Sequence, residues 1–249
     1  MVTATFRFYE ELNDFLPPDR RYRAFDAPCA ENATAKHAIE ALGVPHTEVE
    51  LILVNGESVG FDRLLRDGDR VAVYPMFEAL DVTPLLRLRE RPLRVTRFVA
   101  DAHLGGLARL LRMAGFDTLY DNGFDDDGIV ATAEREGRIV LSRDRELLKR
   151  RTVRHGCYLH ATEPWAQLRE IMVRLDLADC ARPFSLCLIC NAPLRPVDRA
   201  EVLDRLPPKV RETQTRFSVC DVCGRVYWEG SHWRDMRRQL TAALQRDPA

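Results

Sequence analysis

Aspartates recur at regular places in the middle of the chain, and their spacing suggests chemistry. Each follows a short apolar run that reads as a β-strand, either directly or a little further on. They are Asp101 after 98–100, Asp121 after 118–120 and Asp144 after 139–142. Helical patterns separate these runs, so the alternation of strand and helix predicts a parallel sheet covered by helices.

A parallel sheet would bring these carboxylates together, because the carboxyl ends of its strands lie along one edge, where ligands bind. Crowded carboxylates repel one another and are tolerated mainly where a cation neutralises them. A further run, Asp125-Asp126-Asp127, opens the second helix, although a helix N-cap needs only one of the three. The pattern predicts a magnesium or manganese site that cleaves phosphodiesters.

A glycine pair, Gly105-Gly106, lies near the start of the amphipathic helix that follows Asp101. The pair permits close packing of the helix against the sheet, which is the interpretation we favour. The alternative is that it lets a substrate phosphate approach the helix N-terminus.

Four of the seven cysteines form two Cys-x-x-Cys pairs. Cys187 and Cys190 are followed, after 29 residues, by Cys220 and Cys223. Four thiolates suit zinc in a closed structural site, and disulfides are rare in cytosolic proteins. An iron–sulfur cluster or a redox dithiol is the alternative. The long insert between the pairs is expected to form its own short helix or arm.

The first 80 residues show an element order ββαββ with Asn-Gly and Asp-Gly turns. This order resembles the ubiquitin-like β-grasp fold, and it is most similar to the small sulfur-carrier proteins of thiamine and molybdopterin synthesis. Sulfur carriers end in a free Gly-Gly tail, but residues 74–79 contain no such pair and the chain continues. A binding or regulatory module with a protein partner is therefore favoured over a sulfur carrier. Residues 81–94, rich in arginine and interrupted by prolines, are interpreted as a linker.

Composition and charge limit the class of protein. The chain has 249 residues, 46% hydrophobic and 30% charged, which is typical of a soluble globular protein. No apolar run is long enough to span a bilayer and no signal-peptide pattern is present, so we expect a cytoplasmic protein without a membrane partner. Residues 1–80 carry 8 basic and 14 acidic side chains, against 29 and 24 in residues 81–249, which is compatible with a body that binds a polyanion.

Two basic stretches could contact a nucleic acid. The first, a basic patch from Arg143 to Arg154, is the densest positive run of the chain. In the second, Tyr227, Trp228 and Trp233 are interleaved with arginines and could stack on single-stranded bases. A solvated helix face explains the first stretch equally well, and aromatics that wrap a small zinc core explain the second.

The motifs together resemble the PIN-like ribonuclease family named after the Mut-seven exonuclease C-terminal domain. The resemblance is carried by 98–117, by Asp126 ahead of Ile129, and by 137–144. It implies an acidic cluster that holds a divalent metal, and the matching positions are Asp101, Asp126 and Asp144, with Asp121 a weaker fourth. It also implies a basic residue before the last aspartate, here Arg143, and Ser142 replaces the usual threonine. Members with a ubiquitin-like N-terminal domain and a C-terminal zinc ribbon share the layout of this chain.

We therefore expect a multi-domain protein. It comprises an α+β ubiquitin-like β-grasp domain (1–80), the linker (81–94), an α/β PIN-like nuclease domain with a parallel sheet (95–180), and a zinc ribbon with a C-terminal helix (181–249). The expected function is a metal-dependent ribonuclease, with magnesium or manganese at the aspartates and structural zinc at the cysteines. The alternative is a non-catalytic RNA-binding or adaptor protein that uses the zinc ribbon and the basic patch. A sulfur-transfer accessory protein is a third reading that rests on the first 80 residues alone.

Overall fold

The computed structural model describes residues 1–75, 96–175 and 177–244. The predicted linker (81–94) and most of the segment examined for a Gly-Gly tail lie outside these residues. The chain forms two compact units, Met1–Val95 with Val130–Tyr158 and Thr96–Ile129 with Leu159–Ala249. Each unit is described by itself, and strands and helices are numbered in chain order.

The first unit contains a five-stranded sheet with the order β2-β1-β5-β3-β4. Its central strands, β1 and β5, are parallel, and the other pairs are antiparallel. The strands are β1 (Val2–Phe8), β2 (Phe25–Cys29), β3 (Leu51–Val54), β4 (Glu57–Val59) and β5 (Arg70–Tyr74), and α1 (Ala35–Ala41) lies between β2 and β3 in sequence. This is the β-grasp arrangement that the sequence predicted.

The residue pattern explains why this sheet forms. Alternate side chains of β1, among them Phe6 and Phe8, are buried in the core together with Ile39 of α1. Thr34 caps α1, since its hydroxyl accepts a hydrogen bond from the His37 N–H at 3.2 Å. One face of the sheet therefore packs on one face of α1.

Residues 18–20 form a 3-10 helix before strand β2, which begins at Phe25. Strand β4 was not expected, because it is an edge strand of three residues with no buried position and so lacks the alternating pattern. The Asn55-Gly56 turn joins β3 to β4, and both residues have positive φ, at 53° and 88°.

The rest of the first unit comes from the middle of the chain. It contains β8 (Ile139–Ser142), α4 (Arg145–Lys149) and β9 (Gly156–Tyr158), and β8 pairs with β9 in parallel. All four residues of β8 are buried, as the uninterrupted apolar run predicted.

The second unit begins with β6 (Phe98–Ala100), α2 (Gly105–Ala114) and β7 (Thr118–Leu119), and β6 pairs with β7 in parallel. Helix α2 ends at Gly115, whose φ of 93° favours glycine. A Cβ at Gly115 would lie 2.2 Å from the Arg182 carbonyl oxygen, so the position also requires glycine for space. Further along, α3 (Asp126–Glu136) crosses the boundary between the units, and α5 (Pro164–Arg174) begins with Pro164 in its first turn.

In this part of the chain strands alternate with helices, and the parallel pairings of β6 with β7 and of β8 with β9 confirm the predicted α/β class. Within the described ranges, no helix combines the length and apolar character needed to cross a membrane.

The four cysteines lie in a small module, which we call the cysteine module (residues 185–230). Its sheet is antiparallel, with the order β10 (Arg195–Val197), β11 (Phe217–Val219) and β12 (Val226–Trp228). The insert between the cysteine pairs forms α6 (Arg199–Val202), a 3-10 turn and α7 (Pro208–Thr213), as expected, and Val202 and Leu206 pack with Phe217 in a small core. Helix α8 (Ser231–Leu244) follows the module.

Candidate functional site

Asp101 follows β6 directly, at the position predicted from the sequence. Its backbone begins a 3-10 turn, and its carbonyl oxygen accepts a hydrogen bond from the Leu104 N–H at 2.8 Å. The carboxylate Oδ1 lies 3.2 Å from His103 Nδ1, and the side chain of Asp101 is only 13% exposed. A largely buried carboxylate with a histidine beside it is a suitable first ligand for a cation.

The aspartates at 125 and 126 have different local roles. Asp125 caps α3, because its Oδ1 accepts a hydrogen bond from the Gly128 N–H at 2.8 Å. Asp126 is the first residue of the helix and is half-buried. The capping role is thus filled by Asp125, and it does not account for Asp126.

Asp121 is exposed and shapes the loop after β7. Its Oδ1 accepts a hydrogen bond from the Gly123 N–H at 2.7 Å, which closes a tight turn. This local use explains the residue without a metal.

Asp144 lies in the first unit, two residues beyond the end of β8, and is exposed. Its Oδ1 accepts a hydrogen bond from the Glu146 N–H at 2.8 Å, so the residue caps α4. Its own N–H donates to the buried Ser142 hydroxyl at 2.8 Å. Arg143, the predicted basic partner, is exposed beside it.

The basic patch from Arg143 to Arg154 is partly used for structure. The Arg145 guanidinium lies 4.8 Å from the centre of the Phe15 ring, and its Nη1 donates to the Phe15 carbonyl oxygen at 3.2 Å. Lys149 pairs with Glu146 at 2.8 Å. These two side chains are therefore engaged within the first unit, which weakens the interpretation of the whole patch as a phosphate-binding surface.

The glycine pair at the start of α2 is explained by packing. A Cβ on Gly105 would lie 2.5 Å from the Tyr120 hydroxyl oxygen, and one on Gly106 would lie 2.7 Å from Pro164 Cγ. Tyr120 is held there because its hydroxyl donates to the Ala102 carbonyl oxygen at 2.9 Å. Larger residues would separate α2 from these neighbours, so the favoured interpretation from the sequence agrees with the contacts.

The four cysteines of the two Cys-x-x-Cys pairs converge. Their sulfur atoms all lie within 4.8 Å of one another, with 3.6 Å between Cys187 and Cys223 and 3.3 Å between Cys190 and Cys220. Thiolates about 2.3 Å from a tetrahedral zinc would be about 3.8 Å apart. Within the described ranges this is the one group of three or more potential ligands that is so close together, and it can hold a metal such as zinc.

The surroundings of the sulfur atoms favour thiolate at Cys187. Burial acts to raise the pKa of Cys187, but hydrogen bonds from the Cys190 backbone and the Tyr227 hydroxyl outweigh it and lower the pKa to about 6. The Tyr227 hydroxyl lies 3.1 Å from the sulfur. Burial, together with the neighbouring sulfur atoms, raises the pKa of Cys190 to about 12. Negative charge therefore builds up unfavourably in the group unless a cation neutralises it.

Arg112 connects the first cysteine pair to strand β7 through hydrogen bonds. It is 5% exposed and extends from α2. Its Nη1 donates to the Ile189 carbonyl oxygen at 2.7 Å, and its Nε donates to the Thr118 carbonyl oxygen at 2.9 Å. Burial lowers the pKa of Arg112, and the nearby cysteines act to raise it.

Asn191, directly after the first pair, makes a second link to the same strand. Its φ of 65° places it in the left-handed region, and its Oδ1 accepts a hydrogen bond from the Thr118 N–H at 3.0 Å. Its amide also donates to the Asp117 carboxylate. Arg112, Asn191 and His103 could not be predicted as site residues from the sequence, because single polar residues carry no spacing signal.

Two family models match the chain. The family model described as the Mut7-C RNAse domain matches residues 96–240, and the model described as Mut7-C ubiquitin matches residues 1–81. No curated protein matches the chain.

Two solved structures of the small archaeal modifier protein 1 from Haloferax volcanii are similar to part of the chain. Both are 19% identical to it, and the matches cover 31% and 30% of this chain and 100% and 96% of the modifier protein, with TM-scores of 0.26 and 0.25. By its match over residues 96–240, which is more than half of its length, the chain belongs to the Mut7-C RNAse domain family, and it carries a Mut7-C ubiquitin domain at its N-terminus.

Proposed function

We propose that the protein is a metal-dependent ribonuclease that hydrolyses RNA phosphodiester bonds. The observation that carries the proposal is the family match over 96–240, within which Asp101, Asp126 and Asp144 occupy strand ends and a helix start. Asp101, Asp126 and Asp144 would hold magnesium or manganese, because carboxylate oxygens are the ligands that these ions prefer. Asp121 is the weaker fourth candidate.

The three carboxylates would hold a divalent ion, whose Lewis acidity would stabilise charge on the phosphate and lower the pKa of a water molecule. The side chains of the protein would position the metal ion and the RNA backbone, and they would neutralise the charge of a phosphate. Asp101 and Asp144 are each held by contacts at a strand end, and the exposed Arg143 would contact a phosphate of the RNA backbone. His103, 3.2 Å from Asp101, is a positioning residue that would orient this carboxylate.

We also propose that the four thiolates hold one structural zinc ion, which makes the cysteine module a zinc ribbon. The support is the separation of the sulfur atoms and the low pKa of Cys187. Four protein ligands leave no position for water, so this ion would stabilise the fold and take no part in hydrolysis.

The test of the nuclease is cleavage of labelled RNAs and single-stranded DNAs by the full chain with magnesium, with manganese and with neither. We expect cleavage of RNA that requires the metal and falls by at least about 100-fold in Asp101→Asn and in Asp126→Asn, since each removes a charged ligand. Asp125→Asn is the matched control, because asparagine can still cap α3 and the residue is not a proposed ligand. Full activity of the Asp101 variant would contradict the proposal.

The competing function is an RNA-binding or adaptor protein without catalysis. The local hydrogen bonds of Asp121 and Asp144 favour it, since they give two of the proposed ligands a structural purpose. It predicts RNA binding that survives both metal removal and the aspartate substitutions, with no cleavage under any condition of the assay.

A further inference from the structure

A groove of about 1010 Å³ opens in the second unit between the cysteine module and the start of α8. Its floor includes four half-buried aromatic rings, those of Phe184, Tyr227, Trp228 and Trp233. We propose that this groove binds a single-stranded segment of RNA, with bases stacked on its aromatic floor and phosphates at its arginine rim. The assignment to RNA rests on the proposed function, whereas the groove itself does not.

The aromatic floor is held in place by its surroundings. Phe184 and Trp233 have ring centres 5.0 Å apart, and the Tyr227 hydroxyl forms a hydrogen bond with the Cys187 sulfur. Trp228 packs against the small core of the insert. Rings that are already ordered lose little conformational entropy when a base stacks on them. Each stacked base contributes about 1–3 kcal/mol to the binding free energy, which is about 5-fold to 150-fold in affinity, whatever its identity.

The rim of the groove is strongly positive. Four exposed arginines line it, namely Arg109, Arg205, Arg216 and Arg225. The single acidic residue among the lining residues is Glu229, which lies 3.6 Å from Arg216. A neighbouring hollow on α8 adds Arg234, Arg237 and Arg238, of which Arg238 is paired with Asp235 at 3.2 Å, and Glu229 lines this hollow too. Such an excess of exposed guanidinium groups attracts a polyanion.

Arg195 is an arginine of the cysteine module that lies outside the groove. Its charge is neutralised, since its guanidinium contacts Asp221 at 3.2 Å and Glu201 at 3.5 Å. It therefore provides a control for the arginines that line the groove.

A concave aromatic floor selects for a single strand. The bases of a duplex are stacked on one another and cannot turn their faces to protein side chains, whereas those of a single strand can. An acidic peptide would satisfy the arginines but would leave the aromatic faces without flat partners, so we favour RNA as the occupant.

The test measures binding of fluorescent oligonucleotides to the full chain by anisotropy, in the Asp144→Asn background so that cleavage does not interfere. We expect an unstructured RNA to bind at least about 10-fold more tightly than a blunt RNA duplex of equal length. In Arg205→Gln/Arg225→Gln the slope of log K against log salt should become shallower by about 1.4, which corresponds to two phosphate contacts on a single strand. Arg195→Gln, the matched control, should leave the slope unchanged.

The aromatic floor is tested separately by Trp233→Ala, which should weaken binding by between about 5-fold and 150-fold, while Trp233→Phe retains most of the affinity. Circular dichroism of each variant checks that the fold is retained, and the arginine variant, which changes only exposed side chains, keeps the test independent of folding.

Three results would overturn the inference: an unchanged salt slope in the double arginine variant, duplex RNA that binds as tightly as single-stranded RNA, or tighter binding of an acidic peptide than of RNA. Single-stranded DNA that binds more tightly than RNA would overturn the assignment to RNA. The proposed function fails in a different way, namely by absence of metal-dependent cleavage while these binding differences persist.

Discussion

At the scale of single residues, the proposed acidic site uses side chains that also perform local structural tasks. Asp144 caps α4 through one carboxylate oxygen, and Asp121 closes a turn. A carboxylate has several acceptor positions, so capping through one oxygen leaves the other available to a cation. Structural and catalytic roles can therefore be separated by the choice of substitution.

Asp144→Asn and Asp144→Ala should separate these roles. Asparagine caps a helix about as well as aspartate, so we expect unchanged stability with loss of metal-dependent cleavage. Alanine removes both functions, and we expect loss of cleavage together with a decrease of about 1 kcal/mol in the free energy of unfolding. Urea titration and the cleavage assay measure the two effects, and equal activity of the asparagine variant and the unmodified protein would contradict the ligand role.

At the scale of elements, the sequence predicted the strands and helices whose residues follow a clear period. The buried run of β8 and the start of α3 are both observed at the expected positions. The short edge strand β4 was not predictable, because its stability comes from hydrogen bonds to β3 rather than from an apolar pattern.

Site residues, too, could be predicted only where they follow a local pattern. The spacing of the four cysteines revealed their convergence, since ligand pairs with two residues between them have a recognisable pattern. The contacts of Arg112 and Asn191 join residues more than 70 positions apart, and no local pattern records them.

Metal content tests the proposed zinc site of the cysteine module. We expect about one equivalent of zinc per chain, and we expect Cys220→Ser to lose it, because Cys220 is buried within the sulfur group. Cys180→Ser should retain zinc, since Cys180 is exposed and lies outside this group. Elemental analysis of the purified proteins measures both. Absence of zinc from the unmodified protein would contradict the assignment of the module as a zinc ribbon. Iron in place of zinc would indicate an iron–sulfur cluster.

At the scale of the whole molecule, the compact units do not follow the order of the sequence. The β-grasp residues form one unit with 130–158, which carry Asp144. Several specific contacts join them: Phe15 packs edge-on against Tyr158 at 5.0 Å, and the Glu48 carboxylate accepts a hydrogen bond from the Tyr158 N–H. The β-grasp residues are thus part of the structural support of the segment that carries Asp144.

His46 is the residue of this support that a substitution can test. It is 6% exposed, its Nδ1 lies 2.7 Å from a Glu40 carboxylate oxygen, and its Nε2 lies 2.8 Å from the Val153 carbonyl oxygen. His46→Leu leaves both acceptors without this partner, so we expect a loss of about 2 kcal/mol in stability. The measurement is thermal unfolding, with the exposed His37→Gln as a control that should be near neutral. An unchanged melting temperature in His46→Leu would show that the support is not energetically important.

The link made by Arg112 and Asn191 gives the cysteine module an influence beyond its own fold. Both residues hold the backbone of Thr118 against the first cysteine pair, and Thr118 belongs to a strand of the family's RNAse region. Loss of the proposed zinc ion, whether through scarcity of zinc or through oxidation of the thiolates, would free the Leu188 and Ile189 carbonyl groups to which Arg112 donates. The order of β7 would then fall with metal occupancy, so the metal supply and the redox state of the surroundings would set the fraction of protein in which this strand of the RNAse region is held in place.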